Sequence, residues 1–409
     1  MAQAEDQPNK EAKTPTDNSG RPAKAESWTL SRETTLVFAA GVLIAFFAVT
    51  AFASRFYHET QRSLARHWHD RGQSALAAGR AAEAVEDLRT ALVYSHGNGD
   101  QTGASDRYEF ELATALASDG KFEEARAYLV NAAERMPGDA EVNLELARLA
   151  SRENRLEEAA RDYNAAIFGA WRDNAAERRR AARIEYFEFL LSHGERAEAQ
   201  AQAIAIAGAL PADADLYVTA GNLLLRSGEY DQALVTFQRS LSLRRTAEGF
   251  RGAGIAAFRL GNYREAERYL ADAARFRVPE QDVRDLLGSA QLVVALDPFN
   301  AGLSVAERAK RASQDFAAAL KRLDACAEAK VPVHETGPVN ALRQLQDQMM
   351  KVEPLASESH LRTHPDDLNS VMLAVFSVET GMPQQCGPAQ GADAALQLIA
   401  KNRSGIVQP

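Results

Sequence analysis

The chain is 409 residues long, with 47 Lys+Arg against 56 Asp+Glu for a net charge of -9, and it is 46% hydrophobic but only 7% aromatic. That length exceeds one ordinary core and predicts two or three units or an extended array. No stretch gathers the Lys/Arg stripe that phosphate contacts need, so nucleic acid is not an expected partner. Alanine is plentiful and the 14 prolines fall mostly outside the helically periodic segments, which together predict an all-α fold.

Residues 1–33 are rich in Pro, Asn, Ser, Lys and Glu, bury too little apolar area to fold, and read as a disordered tail. Residues 34–54, TTLVFAAGVLIAFFAVTAFAS, carry no charge. As a helix they reach roughly 31 Å, about the thickness of a bilayer's hydrocarbon core, and read as one transmembrane helix. The alternative is a secretory signal cleaved after Ala51-Phe52-Ala53, a small-x-small triplet. Lys10, Lys13, Arg21, Lys24 and Arg32 precede the span and Arg55, Arg62, Arg66 and Arg71 follow it, so flanking charge barely sets the orientation. A disordered leader suits the cytoplasm, which leaves the large C-terminal part outside it, in the periplasm.

From residue 65 a pattern recurs at a period of roughly 34, the self-similarity expected of stacked supersecondary units. A small residue is followed by Ala twelve positions on and by another small residue seven later, with a bulky one between. The copies run near 65–98, 106–139, 140–173, 180–213, 214–246 and 247–280. The first has Trp68, Gly72, Ala84, Leu88 and Ala91; the second has Leu112, Ala113, Gly120, Ala125, Leu129, Ala132 and Pro137. The third has Leu146, Ala147, Ala159, Tyr163 and Ala166, and a weaker fourth has Leu190, Gly194, Ala199, Ala203 and Pro211, with Phe187 where a small residue is expected. The fifth has Tyr217, Gly221, Leu224, Gly228, Ala233, Phe237 and Ser240, and the sixth has Phe250, Gly254, Gly261, Ala266, Leu270 and Ala273. Two helices of a hairpin approach closely only where both present Gly or Ala, which assigns that contact to Gly221 and Ala233. Gly120, Gly194, Gly228 and Gly261 then permit the turns.

These positions closely resemble the tetratricopeptide repeat family over residues 65–280, in an arrangement similar to membrane-anchored members of bacterial type. The resemblance implies antiparallel hairpins stacked into a right-handed α-solenoid of about six repeats, with a concave face for a protein or peptide. In this family the first helix of each hairpin tends to line the groove, which nominates Arg148, Arg152, Asn222, Arg226, Arg251 and Arg259. Such arginines either receive an acidic peptide or carboxylate through bidentate bonds or are ordinary solvated side chains. Asn222 matches one place of the carboxylate clamp known in some members, but Val218 and Gly252 stand where other clamp residues would be, so that activity is not transferred.

Little else carries chemistry. His67 and His69, two apart on a helix, point away from each other and cannot chelate one ion. No phosphate-binding glycine loop or nucleophile elbow is found, so neither a cofactor nor a metal nor an enzyme is expected. Residues 281–296 read as a helix capping the array, with Gly288 in the close-packing position, and Asp297-Pro298 ends it. Residues 297–409 read as a helical region with a long helix from Ser304 to about Ala329 and shorter ones near 338–352, 366–379 and 391–402. Cys326 and Cys386 are either a disulfide or two buried free thiols. The leading expectation is a single-pass protein of a bacterial inner membrane acting as a scaffold or adaptor. Its rivals are an enzyme or ligand-binding site in residues 297–409, where His334, His360 and His364 are scattered singly, and a self-assembling structural homo-oligomer.

Overall fold

A computed structural model describes residues 32–96, 104–276, 280–329, 338–382 and 386–403. Most of the N-terminal tail with its four leading cations, most of the loop after the first repeat, and His334 lie outside the described residues. Among those described, the fold is all-α, with eighteen α-helices, two 3-10 turns and one isolated β-bridge between Asp139 and Ala170. The chain divides into two compact units, Met1–Ala125 and Arg126–Pro409.

In the first unit α1 (Arg32–Ala77) is a single unbroken helix of 46 residues. Its residues 34–54 are uncharged and exposed, and its C-terminal part is the first helix of the first hairpin. By length and composition α1 can cross a membrane, a test that a signal sequence also passes. The partner helix α2 (Ala81–His96) packs against α1 where Gly72 meets Leu88; a Cβ added at Gly72 would lie 2.8 Å from Leu88 Cγ. The next helix, α3 (Ala104–Ser118), buries Leu112, Ala113 and Leu116, and presents Glu111 to His69 of α1. His69 is thus held by a carboxylate, whose hydrogen bond raises its pKa, while His67 is exposed.

Helix α4 (Phe122–Arg135) contains the division between the units. In the second unit the hairpins pair α5 (Ala140–Arg152) with α6 (Leu156–Phe168), α7 (Ala175–Ser192) with α8 (Arg196–Gly208), α9 (Ala214–Ser227) with α10 (Tyr230–Leu243), and α11 (Ala247–Arg259) with α12 (Tyr263–Phe276). The starts of α5 and α9 are fixed by side-chain caps: Asp139 accepts from the Glu141 amide at 2.9 Å and Asp213 from those of Asp215 and Leu216. The turn of the fifth repeat needs a left-handed residue, supplied by Gly228 at φ +92°; in the third repeat Asn154 takes the same role at +56°.

Gly221 faces the ring of Phe237 rather than only Ala233: a Cβ there would fall 2.7 Å from Phe237 Cζ, and one at Gly252 of the following repeat 2.2 Å from the same atom. One aromatic ring therefore fills the space between two glycines of successive hairpins. The fourth repeat also becomes intelligible. Where other repeats place a small residue on the first helix and Leu129, Tyr163, Phe237 or Leu270 on the second, this one has Phe187 and Ala203, both fully buried. The bulk has moved to the opposite helix and the pair's volume is roughly kept.

Helix α13 (Gln281–Leu296) follows the last hairpin and packs on α12. Gly288 is not a close-packing position, because a Cβ there would meet nothing within 4 Å. Beyond it, α14 (Val305–Ala329), α15 (Pro338–Val352), α16 (Glu358–Thr363), α17 (Leu368–Gly381) and α18 (Ala392–Arg403) enclose a second core around Phe316, Leu323, Met349, Val375 and Ile399. Cys326 and Cys386 are joined as a disulfide with Cα atoms 5.9 Å apart. Helix α18 returns to the repeats: Asn402 Nδ2 donates to the Gly261 carbonyl at 3.2 Å, and Arg403 pairs with Asp297 at 3.3 Å while lying 4.7 Å from the Phe299 ring.

Candidate protein-interaction face

Successive first helices of the second unit present the same face by helical spacing. On α9 it consists of Val218, Asn222, Leu225 and Arg226; on α7 of Ile184, Glu188 and Leu191; on α11 of Arg251, Ile255, Phe258 and Arg259; on α5 of Leu144, Arg148 and Arg152. Half-buried apolar side chains such as Ile184, Val218, Leu225 and Phe258 thus alternate with charged ones.

The six residues nominated from the sequence separate into two groups. Arg148 is already satisfied within the protein: Glu185 of α7 accepts from its Nε at 2.8 Å and its Nη2 at 2.5 Å, and Glu145 accepts from Nη1. Those bonds raise its pKa further above the ordinary arginine value. Arg226 is engaged in the same way by Glu188, both oxygens accepting, with the Phe187 ring 5.4 Å below the guanidinium. Arg251 reaches Glu280 and Asp282 at 3.5 Å each, at the outer limit of a hydrogen bond, and its Nε is buried with no hydrogen-bond partner. Arg152 is exposed at the end of α5. Asn222 and Arg259 are exposed and make no polar contact among the described residues.

The sequence reading missed the glutamates. Ion pairs connect α5 to α7 (Arg148–Glu185) and α7 to α9 (Arg226–Glu188), and a longer one connects α11 to the start of α13 (Arg251–Asp282). The partners stand 37, 38 and 31 residues apart, close to one repeat, and that spacing of opposite charges was the available signal. Between α9 and α11 no ion pair forms among the described residues, and there Asn222 and Arg259 stand with Ile255 and Phe258. A separate cavity of about 860 Å³ lies between α12, α13 and the end of α18. Its Arg264, Arg268 and Arg403 are balanced by Glu265, Glu267 and Asp297, so its lining has no net charge.

The model of a tetratricopeptide repeat family matches residues 116–166, and a second model of the same description matches 214–246. Those two segments are tetratricopeptide repeats. None of the curated proteins matches the chain. Among solved structures, a tetratricopeptide repeat protein from Parabacteroides merdae is 14% identical, covering 56% of this chain and 99% of its own, with a TM-score of 0.24. Pseudomonas aeruginosa pilF is 18% identical over 48% of this chain and 93% of its own, at 0.29. A fragment of yeast Sti1, solved as a complex with pHSP90, is 14% identical over 56% and 99%, also at 0.24. Tetratricopeptide repeats generally mediate contacts between proteins and are typically scaffolds rather than enzymes.

Proposed function

We propose that the chain is a membrane-anchored scaffold that binds a protein or peptide on the first-helix face of its repeats, centred on α9 and α11. The observation that carries this reading is the gap in the ion-pair series. Arg148 and Arg226 of that face are neutralised by glutamates of the neighbouring repeat, but Asn222 and Arg259 keep their hydrogen-bonding capacity beside the apolar Val218, Ile255 and Phe258. An extended peptide with one carboxylate and adjacent apolar side chains complements that set. We read residues 1–33 as a tail, 34–54 as the span, 55–280 as the array, 281–296 as its cap and 297–409 as a helical region closing it. We assign the array to the periplasmic side of a bacterial inner membrane, a reading supported by the Cys326–Cys386 bridge, since disulfides persist in oxidising compartments.

The test is a photo-crosslinking amino acid placed at Asn222, at Arg259, and at exposed Val235 on the second helix α10, in full-length protein in native membranes. Adducts of one defined mass are expected at Asn222 and Arg259 and not at Val235. Equal yields at all three positions, or none at the first two, overturn the reading.

A further inference from the structure

Resting on the membrane-anchored reading above, we propose that Arg55 and Arg62, at the foot of the exposed part of α1, form a binding site for anionic phospholipid headgroups. Arg55, Arg62 and Arg66 are seven and four residues apart, so on a continuous helix they fall within about 40° of one another. All three are exposed and have no ion-pair partner among the described residues. The arginines that follow on the same unit differ: Arg71 pairs with Asp87 at 3.1 Å, Arg80 with Glu83, and Arg89 with Glu86 and Glu124. Glu59 is the one acid on the stripe, which leaves it a net positive charge.

Height along the helix decides which arginines act. At about 1.5 Å of rise per residue, Arg55 stands just beyond Ser54, the end of the uncharged run, and Arg62 about 12 Å beyond it. The headgroup layer is about 5–7 Å deep on each side, and its charge is felt over a screening length of about 8 Å at physiological salt. Arg55 thus lies among the headgroups, Arg62 within reach of their charge, and Arg66, about 18 Å out, at the edge of it. Exposed Phe52, Phe56 and Tyr57 around the same turns provide rings suited to the interface. Because α1 runs on without a break into the first hairpin, this grip also fixes the direction in which that hairpin leaves the bilayer.

The experiment uses full-length protein in phosphatidylcholine bilayers, and compares the association of spin-labelled phosphatidylglycerol with that of spin-labelled phosphatidylcholine. Wild type is expected to prefer the anionic lipid, and added salt to weaken the preference. Arg55→Gln and Arg62→Gln are each expected to lower it by up to about fivefold, and Arg66→Gln by less. A preference that survives Arg55→Gln/Arg62→Gln comes from cations on the other side of the span and overturns the proposal, as does equal association in wild type. Protein that stays in the bilayer after an alkaline wash yet shows no preference refutes the lipid site alone. Protein that washes out refutes the anchored reading with it.

Discussion

Arg226 on α9 grips Glu188 on α7 through both terminal guanidinium nitrogens, with Nη2 2.6 Å from Oε2. The two residues are 38 positions apart and belong to successive repeats, so their bond spans an inter-repeat joint. It also withdraws Arg226 from the set of groups that a partner can use without first breaking an internal contact.

About half of each of these side chains is exposed, which limits the pair to a surface contribution. A double-mutant cycle with Arg226→Ala and Glu188→Ala is expected to give a coupling of about 0.2–1 kcal/mol in denaturant unfolding. Glu188 is held below its ordinary value of 4.5 by the Arg226 hydrogen bond. Its contribution is therefore present above the ordinary glutamate range and is lost as pH falls through its own lowered value. A coupling that does not shrink on acidification contradicts this assignment.

Two glycines, one in the array and one in the following helix, respond in opposite directions. Gly252→Ala drives a methyl into the Phe237 ring and is expected to cost about 1–3 kcal/mol. Gly288→Ala, on α13 with open space around its Cβ, is expected to stabilise by about 0.5–1 kcal/mol through helix propensity. Shifts of the urea midpoint in the same direction for both variants contradict the packing described for Phe237.

Asp315 of α14 is only 2% exposed, and its Oδ2 has no hydrogen-bond partner. Burial pushes its carboxyl up to about 8, with Arg311 opposing and Asp297 adding to the rise. A carboxyl raised on folding contributes stability fully present below its ordinary value of 3.8 and lost as pH rises through the folded value. Melting temperature measured from pH 5 to pH 8 is expected to fall less steeply in Asp315→Asn than in wild type. The difference in slope is bounded by about 1.4 kcal/mol per pH unit for one proton. Parallel curves refute the assignment.

The disulfide closes a loop with a sequence separation of 60 residues. In the chain-entropy account that is worth about 4 kcal/mol, so reduction or Cys326→Ser is expected to lower the melting temperature of the second unit by several degrees. Thiol labelling of unfolded, unreduced protein gives the complementary reading: no reactive cysteine is expected, and two would remove the bridge.

Much of the hairpin architecture was legible because its cause is local. A small residue at Gly221, Ala147 or Gly254, twelve positions before a buried alanine, is a requirement of two helices in contact, and it repeats because each hairpin needs a neighbour. The fourth repeat was faint because Phe187 and Ala203 exchange bulk across the hairpin, a compensation visible only when both helices are seen together. Gly288 was misread for the same reason: its spacing suited a contact, but no side chain arrives there.

By itself, then, the sequence determined helix type, repeat period, hairpin turns and the apolar segment, since these follow from periodicity and residue chemistry over short spans. Tertiary structure decided which groups of the first-helix face remain available. Arg148 and Arg226 look the same as Arg259 in sequence, yet the first two are neutralised by glutamates from the adjacent repeat and the third is not. A charge's partner is set by distance in space across a packed joint, and no single helix carries that information.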